Sequence, residues 1–279
     1  MKIIHLSDLH LGRYWFNKTE ERFNKIIEHL KSDAFDGSEF LIITGDLIES
    51  AGRKGSMQHA REMIKPLEEK FENLLICPGN HDYGNFWGGN PEYMKPFFEI
   101  FADSMTSNTA VPDHAHAGER PYNSPFPVLN AFGDHLLIGL DTTEGEFKEE
   151  INRKWCKWDW GAEGELGCRQ LAALNAILND NKLSKMKVII YLHHHPYKNM
   201  LIKNKFRDAD QFNQAAKNRA SLLLFGHNHK STNMEAEARN NGVDMALEGG
   251  SIIGKGDIKF RVLDFSGEKP TFDEITIAV

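Results

Sequence analysis

The chain has 279 residues, of which 41% are hydrophobic and 26% are charged. This composition excludes an intrinsically disordered chain and is typical of a globular protein with a substantial core. The formal net charge of −7 at pH 7 excludes a global basic field for holding nucleic acid, although a local basic patch remains compatible with it. The three cysteines show no CxxC spacing, and no apolar run is long enough to span a bilayer. We therefore expect a cytoplasmic protein that has no membrane attachment.

Short apolar runs separated by turn signals predict buried strands. They are rich in Ile, Leu and Val, as expected for strands that are covered on both faces. The runs comprise residues 2–7, 40–44, 74–77, 136–140, 188–192 and 221–225. Further short strands are predicted towards the C-terminus, in a meander or a second sheet, at 231–239, 242–249, 257–265 and 270–278.

Helical patterns lie between several of these runs. Apolar residues recur at helical spacing in 19–31, where Thr19 is the predicted N-cap. A second helix is predicted over 56–70, with Pro66 expected to kink or end it, and a third over 167–180. The alternation of strands and helices favours a layered α/β fold.

We expect one domain over residues 1–279, because no linker or internal repeat is visible. The stretch 83–127 is rich in Pro, Gly, Asn and Phe, apart from a predicted helix near 91–103. Loops of this length are usually functional or disordered, so the stretch is expected to be an insertion that covers the active face.

Side chains suited to metal binding follow five of the predicted strands. Open α/β sheets bind their ligands at the carboxyl ends of the strands, which is where these side chains fall. The clusters are Asp8-Leu9-His10, Gly45-Asp46, Gly79-Asn80-His81-Asp82, His193-His194-His195-Pro196 and Gly226-His227-Asn228-His229. Any one cluster is compatible with a helix cap or a structural histidine, but the five together favour a shared metal site.

The donor types in these clusters are carboxylate oxygen and imidazole nitrogen, with no thiolate. They suit divalent ions such as Mn, Fe or Zn. A carboxylate can bridge two ions, and two ions close together can hold both the attacking and the leaving oxygen of a displacement at phosphorus. The sequence therefore predicts a two-metal phosphoesterase.

The order and spacing of the five clusters resemble the calcineurin-like metallophosphoesterase superfamily over nearly the whole chain. The resemblance implies a four-layer αββα sandwich with a dinuclear site at the C-terminal ends of the strands. It implies metal ligands at Asp8, His10, Asp46, Asn80, His194, His227 and His229. Of these, Asp8, His10 and His229 would bind the first ion. Asp46 would bridge the two ions, and the remaining three would complete the second site.

The choice of His194 follows the family's His-x-Pro spacing before Pro196, and leaves His193 and His195 as alternatives. The resemblance also implies hydrolysis by a hydroxide that bridges the two ions. His81 would contact the phosphate or assist the leaving group, and Asp82 would orient His81.

Two further segments resemble the branch that contains class III cyclic-nucleotide phosphodiesterases and glycerophosphodiesterases. They are Leu140-Asp141-Thr142-Thr143 and Gly164-Glu165-Leu166 with the later Gln170-Leu171. This branch favours diesters, so the expected substrate is a small phosphodiester such as a cyclic nucleotide or a glycerophosphodiester. Arg13 and His195 are expected substrate contacts, whereas Asp141 is interpreted as a strand-terminal cap.

Three alternatives remain open at this stage. The segment 5–13 also resembles the opening of the exonuclease subunits of double-strand-break repair, so a nuclease is possible, although the acidic chain does not favour nucleic acid as a partner. A phosphomonoesterase could use the same site. A non-catalytic interaction module on the same fold is less favoured, because every ligand position is kept. Enzymes of this branch often associate, so a homo-oligomer is possible.

Overall fold

Two β-sheets form the centre of the fold. The structure is a computed structural model, which describes residues 1–12, 18–85, 88–89, 91–109, 123–144, 163–197, 206–253, 256–267 and 270–279. The strands in chain order are β1 (Lys2–Leu6), β2 (Phe40–Thr44), β3 (Asn73–Cys77), β4 (Gly84–Asn85), β5 (Gly88–Gly89), β6 (Val128–Phe132), β7 (His135–Gly139), β8 (Lys187–Tyr191), β9 (Ala220–Phe225), β10 (Thr232–Asn233), β11 (Met245–Glu248), β12 (Ile258–Asp264) and β13 (Thr271–Ile277).

The first sheet has the strand order β13-β12-β1-β2-β3. Within it, β1, β2 and β3 run parallel, and β12 and β13 extend the sheet as antiparallel strands. The second sheet has the order β10-β11-β9-β8-β7-β6, in which β7, β8, β9 and β11 run parallel. Each sheet therefore presents several carboxyl strand ends at one edge.

Within the described ranges, six α-helices cover the outer faces of the two sheets. They are α1 (Thr19–Leu30), α2 (Ser56–Glu68), α3 (Met94–Ile100), α4 (Gly167–Leu178), α5 (Ala209–Ala216) and α6 (Glu235–Asn240). One core cluster joins α1, α2, α3 and the first sheet to the inner face of the second, and the other joins the second sheet to α4, α5 and α6. Across the sheet interface, Phe40 and Phe132 pack edge to face with ring centroids 4.4 Å apart. The predicted four-layer arrangement is confirmed.

The predicted buried strands match the structure to within one residue at either end. The predicted helices are also present. Thr19 is the first helical residue of α1 rather than its N-cap, which is Lys18. Pro66 lies in the last turn of α2, where the helix accommodates it for two further residues before ending. A helix in the predicted 91–103 region is found as α3, flanked by short 3₁₀ turns.

The prediction for the C-terminal region was partly wrong. A strand was expected over 231–239, but the structure has only β10 there, followed by α6. The sequence of α6 is rich in Ala, Glu and Arg, which are strong helix formers, and this helix propensity outweighs the weak strand pattern. The later strands do not form one meander, because β11 joins the second sheet while β12 and β13 join the first.

None of the helices in the described ranges is long and apolar enough to cross a membrane.

Candidate metal centre

Loops from both sheets meet at the carboxyl ends of their strands. The loop after β1 donates backbone hydrogen bonds to the loop after β2, from Asp8 N–H to Gly45 O at 3.1 Å and from His10 N–H to Asp46 O at 2.9 Å. The two sheets are joined at this edge by Asp8, whose carboxylate accepts the N–H of His227 at 3.1 Å. The five loops with metal-type side chains thus form one continuous surface.

The loops reach this arrangement through unusual backbone geometry. Five non-glycine residues of these loops have positive φ, between 44° and 79°: Asp8, His10, Asp46, His227 and His229. A left-handed conformation costs roughly 1–2 kcal/mol for such residues, and it is found where the surrounding structure enforces it. Glycine is required where loops approach most closely: a Cβ at Gly226 would overlap the side chains of Ser7 and Asp8.

One group of donor atoms surrounds the ring of His10. Its Nε2 lies 3.1 Å from Nε2 of His229 and 3.5 Å from Oδ2 of Asp46, and Nε2 of His229 lies 3.4 Å from Oδ1 of Asp8. Asp8, His10 and Asp46 are buried, and the side chain of His229 is 39% exposed, so this group is reached from solvent on the His229 side.

A second group of donor atoms surrounds the ring of His193. Its Nε2 lies 3.2 Å from Oδ1 of Asn80, 3.2 Å from Nδ1 of His227 and 3.4 Å from Oδ2 of Asp46. The same oxygen, Asp46 Oδ2, therefore faces both His10 and His193. Imidazole nitrogens that face one another beside a carboxylate are donor atoms that suit divalent cations.

Electrostatics of the metal-free protein reflect this crowding. Burial alone would raise the pKa of Asp46, but attraction from His193 and His81 holds it well below its usual range. Conversely, burial would lower the pKa of His193, yet the Asp46 carboxylate raises it to about 9. The pKa of His227 is depressed by burial and by repulsion from His193. In the metal-free protein, protonated His193 thus supplies the positive charge beside Asp46 that a metal ion would otherwise supply.

The three histidines after β8 point in different directions. His193 joins the second donor group described above. His194 is fully buried beside it; its Nδ1 lies 2.7 Å from Oγ1 of Thr142, and its ring centroid lies 4.5 Å from that of His227. One nitrogen from each of His193, His194 and His227 lies within 4.8 Å of the others. Both His193 and His194 are thus close enough for metal binding, and His193 is the one whose Nε2 faces Asp46 and Asn80.

His195 is not brought to the donor groups by these contacts. Its ring packs edge to face against Phe225, and its Nδ1 accepts the N–H of Tyr197 at 3.2 Å. Phe225 and Tyr197 belong to the core between the second sheet and its helices. The expected substrate contact from His195 stays a prediction. Arg13, the other expected substrate contact, lies outside the described residues.

His81 lies next to the first donor group, with its ring packed edge to face on His10 at a centroid distance of 4.7 Å. Its backbone N–H donates to Oδ1 of Asp46 at 2.9 Å, and its Nδ1 donates to the backbone oxygen of Glu49 at 2.7 Å. Burial alone would lower the pKa of His81, but Asp46 and the contact with Glu49 raise it overall. His81 is thus suited to carrying a proton near neutral pH.

Asp82 binds backbone amides in the structure, and its expected role in orienting His81 stays a prediction. Its carboxylate accepts the backbone N–H groups of Leu47 at 2.9 Å, Ile48 at 3.2 Å and Gly79 at 2.8 Å. These bonds fasten the loops after β2 and β3 to each other. The orienting contact to the His81 ring comes from Glu49, because the Asp82 oxygens are turned towards the backbone amides.

The segment Asp141–Glu144 forms a buried polar turn behind the centre. Asp141 accepts hydrogen bonds from Tyr83 Oη at 3.0 Å and from the backbone and hydroxyl of Thr143 at 2.8 and 2.6 Å. Glu144 forms a buried ion pair with Arg169 at 2.5 Å. The interpretation of Asp141 as a cap of the strand end agrees with these bonds. The turn also connects Tyr83 to Thr142, the partner of His194.

Comparison with known proteins identifies the class to which this fold and centre belong. The model of the calcineurin-like phosphoesterase family matches residues 1–231, so the chain belongs to that family. The branch expected from the sequence is not distinguished by this match.

Individual relatives are distant. The chain is 24% identical over 118 residues to the DNA polymerase II small subunit of Thermoplasma acidophilum, a match that covers 37% of this chain and 24% of that protein. The chain thus spans about a quarter of the length of this curated relative.

Among solved structures, one with a TM-score above 0.5 shows a similarity in fold. A 5'-nucleotidase from Candida albicans shares 11% identity with a TM-score of 0.53, over 99% of this chain and 51% of that one. A metallophosphoesterase from Sphaerobacter thermophilus shares 11% identity with a TM-score of 0.40, over 99% and 88% of the two chains.

Proposed function

We propose that the protein hydrolyses a small phosphodiester, using two divalent ions held at the meeting point of the two sheets. The observation that carries this proposal is the position of Asp46. Its Oδ2 lies 3.5 Å from Nε2 of His10 and 3.4 Å from Nε2 of His193, which belong to separate donor groups. A single carboxylate oxygen between two imidazole groups is the arrangement that a bridging ligand requires.

The proposed ligands of the first ion are Asp8, His10 and His229, together with the bridging Asp46. For the second ion we propose Asn80, His193 and His227. His193 replaces His194 in this assignment, because the His193 Nε2 faces both Asp46 and Asn80. Proximity makes His194 the alternative ligand. When bound, the two ions would activate a water molecule and neutralise charge on the phosphoryl oxygens.

The chain's own residues supply proton transfer and orientation. His81 is fixed by two backbone contacts, and its Nδ1 is occupied by the carbonyl of Glu49. Its Nε2 is therefore the nitrogen that would deliver a proton to the leaving alcohol. Asp82 acts as a positioning residue, since it fixes the loop that carries Asn80 and His81 through its bonds to backbone amides.

The preference for a diester is supported by the resemblance of 140–143 and 164–171 to a diester-cleaving branch. In the structure these two segments are joined by Gln170, whose amide bonds both the N–H and the carbonyl oxygen of Asp141. The cytoplasmic location, the single-domain organisation and the oligomeric state stay predictions.

The test is hydrolysis by purified protein, stripped of metal and then titrated with manganese. A chromogenic phosphodiester and the matching monoester are compared side by side, with zinc and iron as alternative ions. We expect metal-dependent turnover that favours the diester. A preference for the monoester would instead assign a phosphomonoesterase. No turnover with any ion and no metal binding would contradict the enzyme proposal and favour a non-catalytic module.

A nuclease is the second function to be separated by experiment. Two similarities favour this possibility: the match over 118 residues to a DNA polymerase subunit, and the resemblance of the segment 5–13 to exonuclease subunits. Against it, the chain has a net charge of −7, and the charge of Arg207 is paired with Glu163 at 2.6 Å. Cleavage of oligonucleotides with a steep dependence on salt would favour the nuclease.

A further inference from the structure

Glu49 connects two functional rings. The residue follows β2 by five positions and lies at the rim of the centre, with its side chain 23% exposed. Its carboxylate Oε2 accepts the Nδ1–H of His10 at 2.9 Å, and its backbone oxygen accepts the Nδ1–H of His81 at 2.7 Å. No motif in the sequence pointed to this residue.

Backbone hydrogen bonds hold the main chain around Glu49 in place. Its N–H donates to the carbonyl of Leu11 at 3.0 Å, and Leu11 N–H donates in turn to Leu47 O at 2.9 Å. Two residues further on, Ala51 N–H donates to the carbonyl of His81 at 3.2 Å. The loops after β1, β2 and β3 are thus joined around Glu49, so its carboxylate projects from a defined point.

The contact at His10 determines which nitrogen is available for metal. A carboxylate only accepts hydrogen bonds, so His10 carries its proton on Nδ1, and Nε2 presents its lone pair. That lone pair faces Asp46 and His229, the proposed donors for the first ion. A carboxylate behind a metal-binding imidazole also makes the ring a stronger donor.

We propose that Glu49 is a positioning residue that sets the affinity of the first metal ion through its carboxylate, and does so independently of the second ion. The inference rests on the two-ion function proposed above. It assigns the side chain to metal affinity and the backbone oxygen to the orientation of His81. Substitution of the Glu49 side chain therefore removes the contact to His10 and keeps the backbone contact to His81.

The experiment is a manganese titration of metal-stripped protein by calorimetry, on wild type, Glu49→Ala, Glu49→Gln and the control Glu72→Gln. Glu72 is an exposed acid outside the centre, so its amide variant matches the change of charge alone. Asn80→Ala identifies which binding step belongs to the second ion. We expect Glu49→Ala to weaken the first-ion step by about 10- to 100-fold and to leave the second step unchanged.

Glu49→Gln is expected to recover part of this affinity, because an amide oxygen can still accept the His10 proton. At saturating manganese the kcat of Glu49→Ala should recover by a larger factor than in metal-limited assays, since the backbone contact to His81 is retained. An unchanged titration in Glu49→Ala, or equal weakening of both steps, would overturn the inference. So would a third bound equivalent that Glu49→Ala loses, which would make Glu49 a direct ligand.

Failure of the underlying function gives a different result. If wild-type protein binds no metal, or binds it without turnover, the two-ion phosphoesterase itself is contradicted. If wild type binds two ions and turns over, while Glu49→Ala behaves like wild type, only the role of Glu49 is overturned.

Discussion

The ring of His193 spans the gap between the two sheets. His193 follows a strand of the second sheet, and its Nδ1 donates to the backbone oxygen of Thr44, the last residue of β2 in the first sheet, at 2.8 Å. Because a carbonyl oxygen only accepts, the proton is fixed on Nδ1 and Nε2 is left to face Asp46 and Asn80. This bond distinguishes His193 from its neighbour His194, whose Nδ1 faces a hydroxyl group.

The histidine triplet can be resolved by paired substitutions. We expect His193→Ala to lose the second metal ion, because Nε2 of His193 is the proposed donor to that ion. His194→Ala should retain both ions and lose less activity, since its contacts are with Thr142 and neighbouring rings. Metal analysis after dialysis measures the difference, and circular dichroism controls for folding. Loss of one ion in His194→Ala with retention in His193→Ala would reverse the assignment.

Asp46→Ala tests the bridge. Removing the shared carboxylate should deplete both ions and reduce kcat by about a thousandfold or more, because both donor groups lose the ligand that they share. Metal content of the dialysed variant is the direct measurement. Retention of both ions in Asp46→Ala would show that the carboxylate does not bridge them.

His81→Ala tests the proton donor. We expect full metal content and a kcat lowered by roughly 10²- to 10⁴-fold, which is the usual contribution of general acid catalysis. The loss should be smaller for a nitrophenyl diester than for an alkyl diester, because nitrophenolate leaves without needing a proton. Equal losses for the two substrates would argue for a binding role and against proton donation.

The metal-free protein should lose stability between pH 7 and pH 9. The pKa of His193 is raised from 6.5 to about 9 in the folded protein. Protonation of His193 therefore adds on the order of 3 kcal/mol to the free energy of unfolding below pH 6.5. This stabilisation disappears as the pH rises through 9. Thermal unfolding at the two pH values measures the effect. His193→Gln should flatten the profile, and an equally steep decline in that variant would assign it to other groups.

Arg169→Ala tests the buried ion pair behind the centre. Loss of the guanidinium leaves Glu144 buried without its charge partner, which should lower the free energy of unfolding by about 3–5 kcal/mol. The double variant Glu144→Leu with Arg169→Met should recover most of this loss. Denaturant unfolding of both variants measures the difference, and a single variant as stable as wild type would contradict the prediction.

The sequence predicted the strands that carry the centre because their apolar runs are continuous and end in metal-type side chains. The sequence could not show which histidine of the triplet faces the donor groups. The direction of each ring depends on how the chain turns after β8, which the sequence pattern does not reveal. Glu49 escaped notice because its function depends on a loop that folds back beside His10, 39 positions away in the chain. The contacts of Asp82 escaped notice for a related reason: its carboxylate binds three backbone amides, which are invisible in the sequence.

Left-handed backbone at Asp8, His10, Asp46, His227 and His229 limits how this centre could be transplanted. Copying the five side chains onto ordinary strand ends of another scaffold would direct them along different vectors, because the side-chain direction follows from φ. A designer would have to import the loops themselves, with the glycines that let them approach and the hydrogen bonds that hold them. The unit that could be transferred is therefore the set of hydrogen-bonded loops, and the donor side chains alone would not reproduce the centre.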